Sequence, residues 1–155
     1  MKNKSITIDG VKIDLTPKQL FKIAQEKKKQ KEVPISITER IKTFKDIIRL
    51  SGKPASYFKD KSLSKDELGY RKVKTIASVY NEGWKADYGD SNQKKWYPFF
   101  QYDKPNSSFG FSDTYYDGWA THADGGSPLC VFKNEKLAKD AGIKFIKEYN
   151  EFLIG

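Results

Sequence analysis

Apolar and polar residues alternate at the start of the chain, which is typical of short β-strands. The alternation covers residues 5–8 and 11–15 and is interrupted by Asp9-Gly10, a dipeptide favoured in two-residue hairpin turns. We therefore predict a β-hairpin at the N-terminus. A helix follows, because Thr16 and Pro17 match an N-cap and a first helical residue.

This first helix has a short apolar patch and a strongly basic end. Residues 27–31 contain four lysines, and Pro34 forces the residue before it out of helical geometry. We expect the helix to fray there and residues 26–34 to form a linker. The apolar patch consists of Leu20, Phe21, Ile23 and Ala24.

Helical spacing returns between residues 38 and 83. One predicted helix begins at Thr38, contains Thr43 and Asp46 as an internal capping pair, and ends at Gly52. A second starts at a Ser64–Glu67 capping box and ends near Gly83. The inward face of this second helix is predicted to be Leu68, Val73, Ile76, Ala77 and Tyr80.

From Trp84 the period shortens towards two, which predicts an antiparallel meander. The predicted strands are residues 96–102, 109–115, about 119–122 and 129–132. Asn134 would cap a terminal helix whose apolar face must pack on the sheet. That face is Leu137, Ala141, Phe145, Tyr149 and Phe152.

These elements predict an α+β fold with N-terminal helices, a small aromatic-rich antiparallel sheet of three or four strands, and a C-terminal helix packed on the sheet. Residues 1–32 would be a basic appendage made of the hairpin and first helix, and residues 38–155 would be the α+β domain.

Several ordered segments resemble a known family. They read KWYPFF at 95–100, FGFS at 109–112, GSPLC at 126–130 and AGIKF at 141–145. Over about residues 40–154 the chain resembles small uncharacterised proteins encoded by bacteriophages and prophages of gut bacteria. The resemblance implies a mobile-element context and supplies no activity. Pro128 stands where the family pattern has arginine, so no anion contact is carried over.

Positive charge and aromatic rings are concentrated in different halves of the chain. Residues 1–80 contain 20 Lys+Arg and 9 Asp+Glu, whereas residues 81–155 contain 9 and 11. Twelve of the 22 aromatic residues fall between Trp84 and Trp119. A basic balance favours polyanionic partners, although a lysine-rich helix face also serves solubility alone.

Composition argues against several classes of protein. No apolar run has the length of a membrane helix, and the start of the chain lacks the apolar region of a secretory signal. One cysteine, Cys130, and one histidine, His122, cannot supply a usual zinc site. We expect no membrane partner, metal or cofactor, and a location in the host cytoplasm or in a virion.

The aromatic segment contains the candidate site. Strand alternation puts Trp96, Phe100 and Tyr102 on one face and Tyr97 and Phe99 on the other. If helices cover only one face of the sheet, the rings on the opposite face could stack on nucleic-acid bases, with the lysines close by for phosphate. If helices cover both faces, all these rings belong to the core. The predicted site residues are Lys94, Lys95, Trp96, Tyr97, Phe99, Tyr115, Tyr116 and Trp119.

The predicted function is non-enzymatic binding of single-stranded nucleic acid through lysines and stacked rings. One alternative is a protein-interaction module, either a virion component or an inhibitor of a host defence protein. Another is capture of a small nucleotide or sugar in an aromatic pocket. An enzyme is disfavoured, because no acid, base and nucleophile fall at a recognisable spacing.

Overall fold

A computed structural model describes residues 4–8, 11–31, 35–117 and 129–155. The chain divides into two compact units, Met1–Ile35 and Ser36–Gly155. This division falls between the two predicted domains, which end at residue 32 and begin at residue 38. Both helices and antiparallel strands are present, so the predicted α+β fold class is confirmed.

The first unit contains strands β1 (Lys4–Ile8) and β2 (Val11–Leu15) and helix α1 (Pro17–Lys31). The strands pair antiparallel as predicted, whereas the predicted turn at residues 9–10 lies outside the described residues. Thr16 caps α1, since its Oγ1 accepts from the backbone N–H of Gln19 at 3.3 Å. The predicted linker at residues 26–34 is wrong over its first part, because α1 continues to Lys31. Lysine and glutamine have favourable helix propensities, which outweigh the expected fraying.

The second unit begins with three short helical segments and one long helix. They are α2 (Ile37–Arg40), α3 (Phe44–Ser51), a 3-10 turn (Ala55–Phe58) and α4 (Lys65–Asn81). The hairpin of β3 (Lys95–Asp103) and β4 (Ser108–Asp117) follows. Two helices, α5 (Glu135–Lys144) and α6 (Ile146–Ile154), complete the unit.

The predicted helix from Thr38 to Gly52 is two helices, because Thr43 and Asp46 form a real helix start. Thr43 is extended at φ −139°, and its N–H donates to the Asp46 carboxylate at 3.0 Å. Backbone donation from Lys42, followed by contacts with Arg49 and Thr43, lowers the pKa of Asp46 to about 2. Gly52 ends α3 in the left-handed conformation, as predicted.

Helix α4 supplies the centre of the core. Its predicted capping box is present, with Ser64 Oγ accepting from the N–H of Glu67 and the Glu67 carboxylate accepting from the N–H of Ser64. Gly69 lies against the backbone of α6 at Phe152, where a side chain would not fit. This close approach explains a glycine in the second turn of a helix. Of the predicted inward residues, Val73, Ile76, Ala77 and Tyr80 are buried and Leu68 is half-buried.

The predicted terminal helix is divided at Phe145, which is not helical and is nearly fully buried. The division turns both α5 and α6 towards the core and the hairpin. The ring of Tyr149 on α6 lies 4.6 Å from that of Phe100 on β3, centroid to centroid. The prediction that C-terminal helical structure packs on the sheet is therefore confirmed.

Among the described residues of the second unit, the sheet has two strands, fewer than the three or four predicted. Strands β3 and β4 pair antiparallel, with a bulge at Ser112, since Phe99 pairs with Asp113 and Phe100 with Phe111. The predicted strand at 129–132 is wrong and reduces to one bridge, in which Phe132 exchanges both backbone hydrogen bonds with Trp96. The predicted strand near 119–122 lies outside the described residues.

Two asparagine side chains bond to backbone groups that flank the hairpin. Asn150 on α6 accepts from the N–H of Phe109 at 2.7 Å and donates to its carbonyl at 2.8 Å. Asn81 on α4 donates to the carbonyl of Val131 and accepts from the N–H of Lys133. Each amide satisfies a buried or half-buried donor and acceptor at once, which fixes the segments that position the hairpin.

Candidate functional site

The two faces of the β3–β4 hairpin separate the predicted site residues into two groups. Directly paired residues of antiparallel strands share a face. Trp96 pairs with Tyr116, and Tyr97 pairs with Tyr115. The predicted platform is therefore not one surface, because its rings point in opposite directions from the two strands.

The face that contains Trp96 is covered by the C-terminal helices over much of its length. Pro98 is buried, and Phe100 packs against the helical core. A Cβ atom on Gly142 of α5 would lie 2.6 Å from the Phe111 ring and 2.7 Å from Pro98 Cβ. Glycine is thus required at this helix–hairpin contact.

At one end of this face, three side chains form what we call the cation–ring cluster: Lys94, Trp96 and Tyr116. The two ring centroids lie 4.7 Å apart. The Lys94 ammonium is 4.2 Å from the Tyr116 centroid and 5.9 Å from that of Trp96. Tyr116 is 44% exposed and Lys94 is exposed, whereas Trp96 is half-buried against the core. The cluster therefore presents a cation and an aromatic surface to solvent, and the half-buried Trp96 anchors it to the core.

The opposite side of the hairpin, which we call the open face, is formed by Tyr97, Phe99, Asp113 and Tyr115. Phe99 is 45% exposed and Tyr115 48% exposed, with their rings edge to face at 5.1 Å. Asp113 lies directly opposite Phe99 and is exposed. The Asp113 carboxylate would repel a phosphate. Two rings beside this carboxylate therefore suit an uncharged partner surface better than a phosphate.

Lys95 does not have the exposed position that the sequence analysis expected. It shares the open-face side of β3 but is only 1% exposed. Its ammonium donates to the carbonyl of Asp90 at 2.9 Å and lies 5.4 Å from the Tyr88 ring centroid. A buried lysine held this way fixes the segment before β3 and does not contact a phosphate in solution.

Trp119, the remaining predicted site residue, lies outside the described residues, as does His122. Cys130 is half-buried and packs against the core, as free cysteines that act as small hydrophobic residues commonly do. Sequence reasoning did not assign Asp113 to the site. The bulge at Ser112 sets its pairing with Phe99, and alternation alone does not predict a bulge.

One tyrosine and two charged groups also meet at the border of the helical core. Tyr80 donates to the Asp140 carboxylate at 2.7 Å, and Lys144 donates to the same oxygen at 2.8 Å. Lys144 also donates to the carbonyls of Thr38 and Ile41. Burial, then hydrogen bonding to Asp140, raises the pKa of Tyr80 well above its usual range. The network joins α2, α4 and α5, and its internal bonding marks it as structural.

Comparisons with known proteins do not assign this chain to a group. No protein-family model, curated protein or solved structure matches it. Among the described residues, no group of three or more histidine, cysteine, aspartate or glutamate side chains could hold a metal ion. Within the same residues, no helix has the length and apolar character needed to span a membrane.

Proposed function

We propose that this chain is a non-enzymatic, phage-encoded module that binds single-stranded nucleic acid in the host cytoplasm through the cation–ring cluster. The observation that carries the proposal is the Lys94 ammonium 4.2 Å from the centroid of the exposed Tyr116 ring, with the Trp96 ring tilted at 49° beside it. A base can stack on such a ring while the ammonium contacts the neighbouring phosphate. The cluster binds without any sequence-specific hydrogen bond.

The energetics of this site suit weak, salt-sensitive binding. Stacking of one base on an aromatic side chain contributes about 1 to 3 kcal/mol. Each phosphate neutralised by lysine releases counterions, so affinity falls as salt rises. The formal net charge of +9 adds long-range attraction to any polyanion. Binding to one short segment is therefore expected in low salt.

The first unit would add a second electrostatic contribution. Residues 1–35 contain nine lysines and four acidic residues, and α1 alone contains six of those lysines. A basic unit joined covalently to the stacking site raises the local concentration of bound strand, which increases affinity through multivalency. This unit would contribute to affinity without choosing a sequence.

Fluorescence anisotropy with a labelled oligothymidylate over a salt series tests the proposal. Tyr116→Ala should weaken binding by about 1 to 3 kcal/mol, and Tyr116→Phe should retain most of it. Lys94→Gln should reduce the slope of log affinity against log salt by about 0.7. Trp96 is unsuitable for this test, because its packing on the core couples it to stability.

Two matched controls keep the test specific. Tyr102→Ala removes an exposed ring from the far end of the hairpin, and Lys139→Gln removes an exposed lysine from α5. Both should bind as the unchanged protein does. Absence of oligonucleotide binding at low salt, or equal loss in Tyr116→Ala and Tyr102→Ala, would refute the proposal.

The open face favours a second candidate function, a protein-interaction module that is a virion component or an inhibitor of a host defence protein. Phe99 and Tyr115 form an exposed ring pair, the kind of group enriched at the centre of protein interfaces, and Asp113 disfavours a phosphate there. A photo-crosslinking residue at position 99 should capture a stoichiometric partner in infected cells. The same residue at position 139 should capture none, and equal capture at both positions would count against the idea.

Among the described residues, capture of a small nucleotide or sugar is less supported. That alternative requires rings beside polar groups in a concave pocket. The cavity described below contains no aromatic side chain in its lining. Its chemistry points to a different class of ligand.

A further inference from the structure

A cavity of about 290 Å³ lies away from the hairpin, between α2, the end of α3 and the last turns of α4. Its apolar lining is aliphatic and consists of Ile37, Leu50 and Val79, of which Ile37 is buried and the others are half-buried against the core. This space holds several water molecules, since one water needs at least about 10 to 15 Å³ of such volume. A ligand of that size is a small metabolite with a short aliphatic part.

The rim of this cavity contains both signs of charge. Arg40 donates through Nη1 to Glu82 Oε1 at 2.7 Å, with the two side chains 40% and 42% exposed. Lys53 also lines the cavity, and its ammonium lies 4.1 Å from the Tyr57 ring centroid. A guanidinium has five N–H donors and a carboxylate has two oxygens, so the Arg40–Glu82 pair retains capacity for a ligand on both sides.

The neutral polar lining is mostly committed to the backbone. Ser51 Oγ donates to the carbonyl of Ile48 at 2.9 Å, and Thr75 Oγ1 donates to that of Arg71 at 2.7 Å. Recognition of a polar ligand would therefore fall to the charged rim, with the exposed Ser78 hydroxyl beside it.

The ends of two helices adjust the charge balance of the rim. Helix α3 ends at Ser51 and α4 ends at Asn81, both next to the cavity. A helix C-terminus carries roughly half a negative charge, so two of them offset about one of the two cations, Arg40 and Lys53. With Glu82 offsetting the other, the rim is close to neutral overall and contains groups of both signs, with Arg40 and Glu82 paired to each other. A zwitterion fits this pattern better than an anion or a cation.

We propose that this cavity binds a small aliphatic α-amino acid. The ligand carboxylate would pair with Arg40 and Lys53, its ammonium with the second oxygen of Glu82, and its side chain with the aliphatic lining. This site is separate from the cation–ring cluster and does not depend on the nucleic-acid proposal.

Methyl NMR on the full chain, with L-leucine as the probe, tests the site. We expect the methyl signals of Ile37, Leu50 and Val79 to shift on titration up to about 10 mM, above the Kd of about 1 mM typical of weak ligands. The analogue 4-methylpentanoate, which lacks the ammonium, and 3-methylbutylamine, which lacks the carboxylate, should each bind at least about tenfold more weakly.

Two variants separate recognition from folding. Glu82→Gln should weaken leucine binding by about tenfold without weakening the binding of 4-methylpentanoate, because the loss of the Glu82 charge leaves Arg40 free for a carboxylate. Ser78→Leu, at an exposed helical position, should fill the mouth of the cavity. It leaves Arg40 and Glu82 in place but should abolish binding of every probe. Glu135→Gln, an exposed carboxylate on α5, is the control and should bind normally.

Three results would overturn the proposal: no leucine-dependent shift at the three lining methyl groups, 4-methylpentanoate binding as tightly as leucine, or unchanged leucine affinity in Ser78→Leu. If Glu82→Gln fails to fold, the analogue series and Ser78→Leu still decide the outcome.

Discussion

The helical core and the β3–β4 hairpin are both rich in aromatic rings, yet they expose them to very different extents. Tyr80, Phe132 and Phe145 are at most 1% exposed, whereas Phe99, Tyr115 and Tyr116 are 44–48% exposed. The ring of Tyr80 contacts those of Phe132 and Phe145 edge to face inside the core, and the hairpin rings contact solvent on one side. Aromatic content alone therefore does not distinguish buried, stabilising rings from exposed rings; their position relative to α5 and α6 does.

Removing a core ring should lower the stability of the protein more than any other change considered below. Phe132→Ala deletes a fully buried ring 5.9 Å from that of Tyr80 and leaves a cavity, so the free energy of unfolding should fall by about 3 to 5 kcal/mol. Phe99→Ala, on the open face, should cost less than about 1 kcal/mol. Urea unfolding followed by tryptophan fluorescence measures both, and equal losses would contradict the contrast.

The contact between core and hairpin can be disturbed at one glycine. Gly142→Ala places a methyl group 2.6 Å from the Phe111 ring. Although alanine favours a helix over glycine by about 1 kcal/mol, overpacking should outweigh this and leave a net loss of about 1 to 2 kcal/mol. Gly110→Ala, where nothing lies within 4 Å of the new atom, is the matched control in thermal unfolding and should change little.

Adjacent lysines at the start of β3 should behave differently. Lys95→Met removes the buried ammonium from the Asp90 carbonyl, and we expect a loss of about 1 kcal/mol in the free energy of unfolding. Lys94→Gln, at an exposed position, should change stability by less than about 0.5 kcal/mol. Denaturant titration of both variants measures these changes. A greater loss of stability in Lys94→Gln than in Lys95→Met would show that Lys94, and not Lys95, is the structural lysine.

The smallest expected effect is a gain in stability. Burial, reinforced by Glu151, raises the pKa of Glu148 on α6, so the folded chain binds this proton more tightly than the unfolded chain. The contribution of Glu148 to stability is therefore present at low pH and is lost as pH rises through the raised pKa. Glu148→Gln should raise the melting temperature slightly at pH 7 and leave it unchanged near pH 3. An equal shift of the melting temperature at both pH values would show that the charge of Glu148 is not the cause.

Local sequence signals predicted the helices of the second unit well where a cap and an apolar face agree. Ser64 with Glu67 located the start of α4, and the spacing of Val73, Ile76 and Tyr80 identified its buried face. The break at Phe145 was missed. Phe145 is itself apolar and buried, so the helical spacing of apolar residues continues from α5 into α6 without a visible interruption. That break depends on packing against distant elements, which one sequence does not encode locally.

The candidate site was predicted in composition but not in arrangement. Alternation correctly assigned Trp96 and Tyr97 to opposite faces, and the register of β4 then divided Tyr115 from Tyr116 in the same way. The burial of Lys95 depends on the Asp90 carbonyl and the ring of Tyr88, a contact that charge patterning cannot reveal. Charged residues next to aromatic strands are thus weak indicators of exposure.

The outer edge of each strand in the β3–β4 hairpin has backbone groups that are already hydrogen-bonded, and this affects how the protein could self-associate. Phe132 occupies the backbone groups of Trp96, Pro98 has no N–H to offer, and Asn150 occupies those of Phe109. An isolated pair of strands would otherwise be a template on which further copies could add edge to edge. The protein can thus display exposed rings while the backbone groups through which fibrils begin to grow remain occupied at these three points.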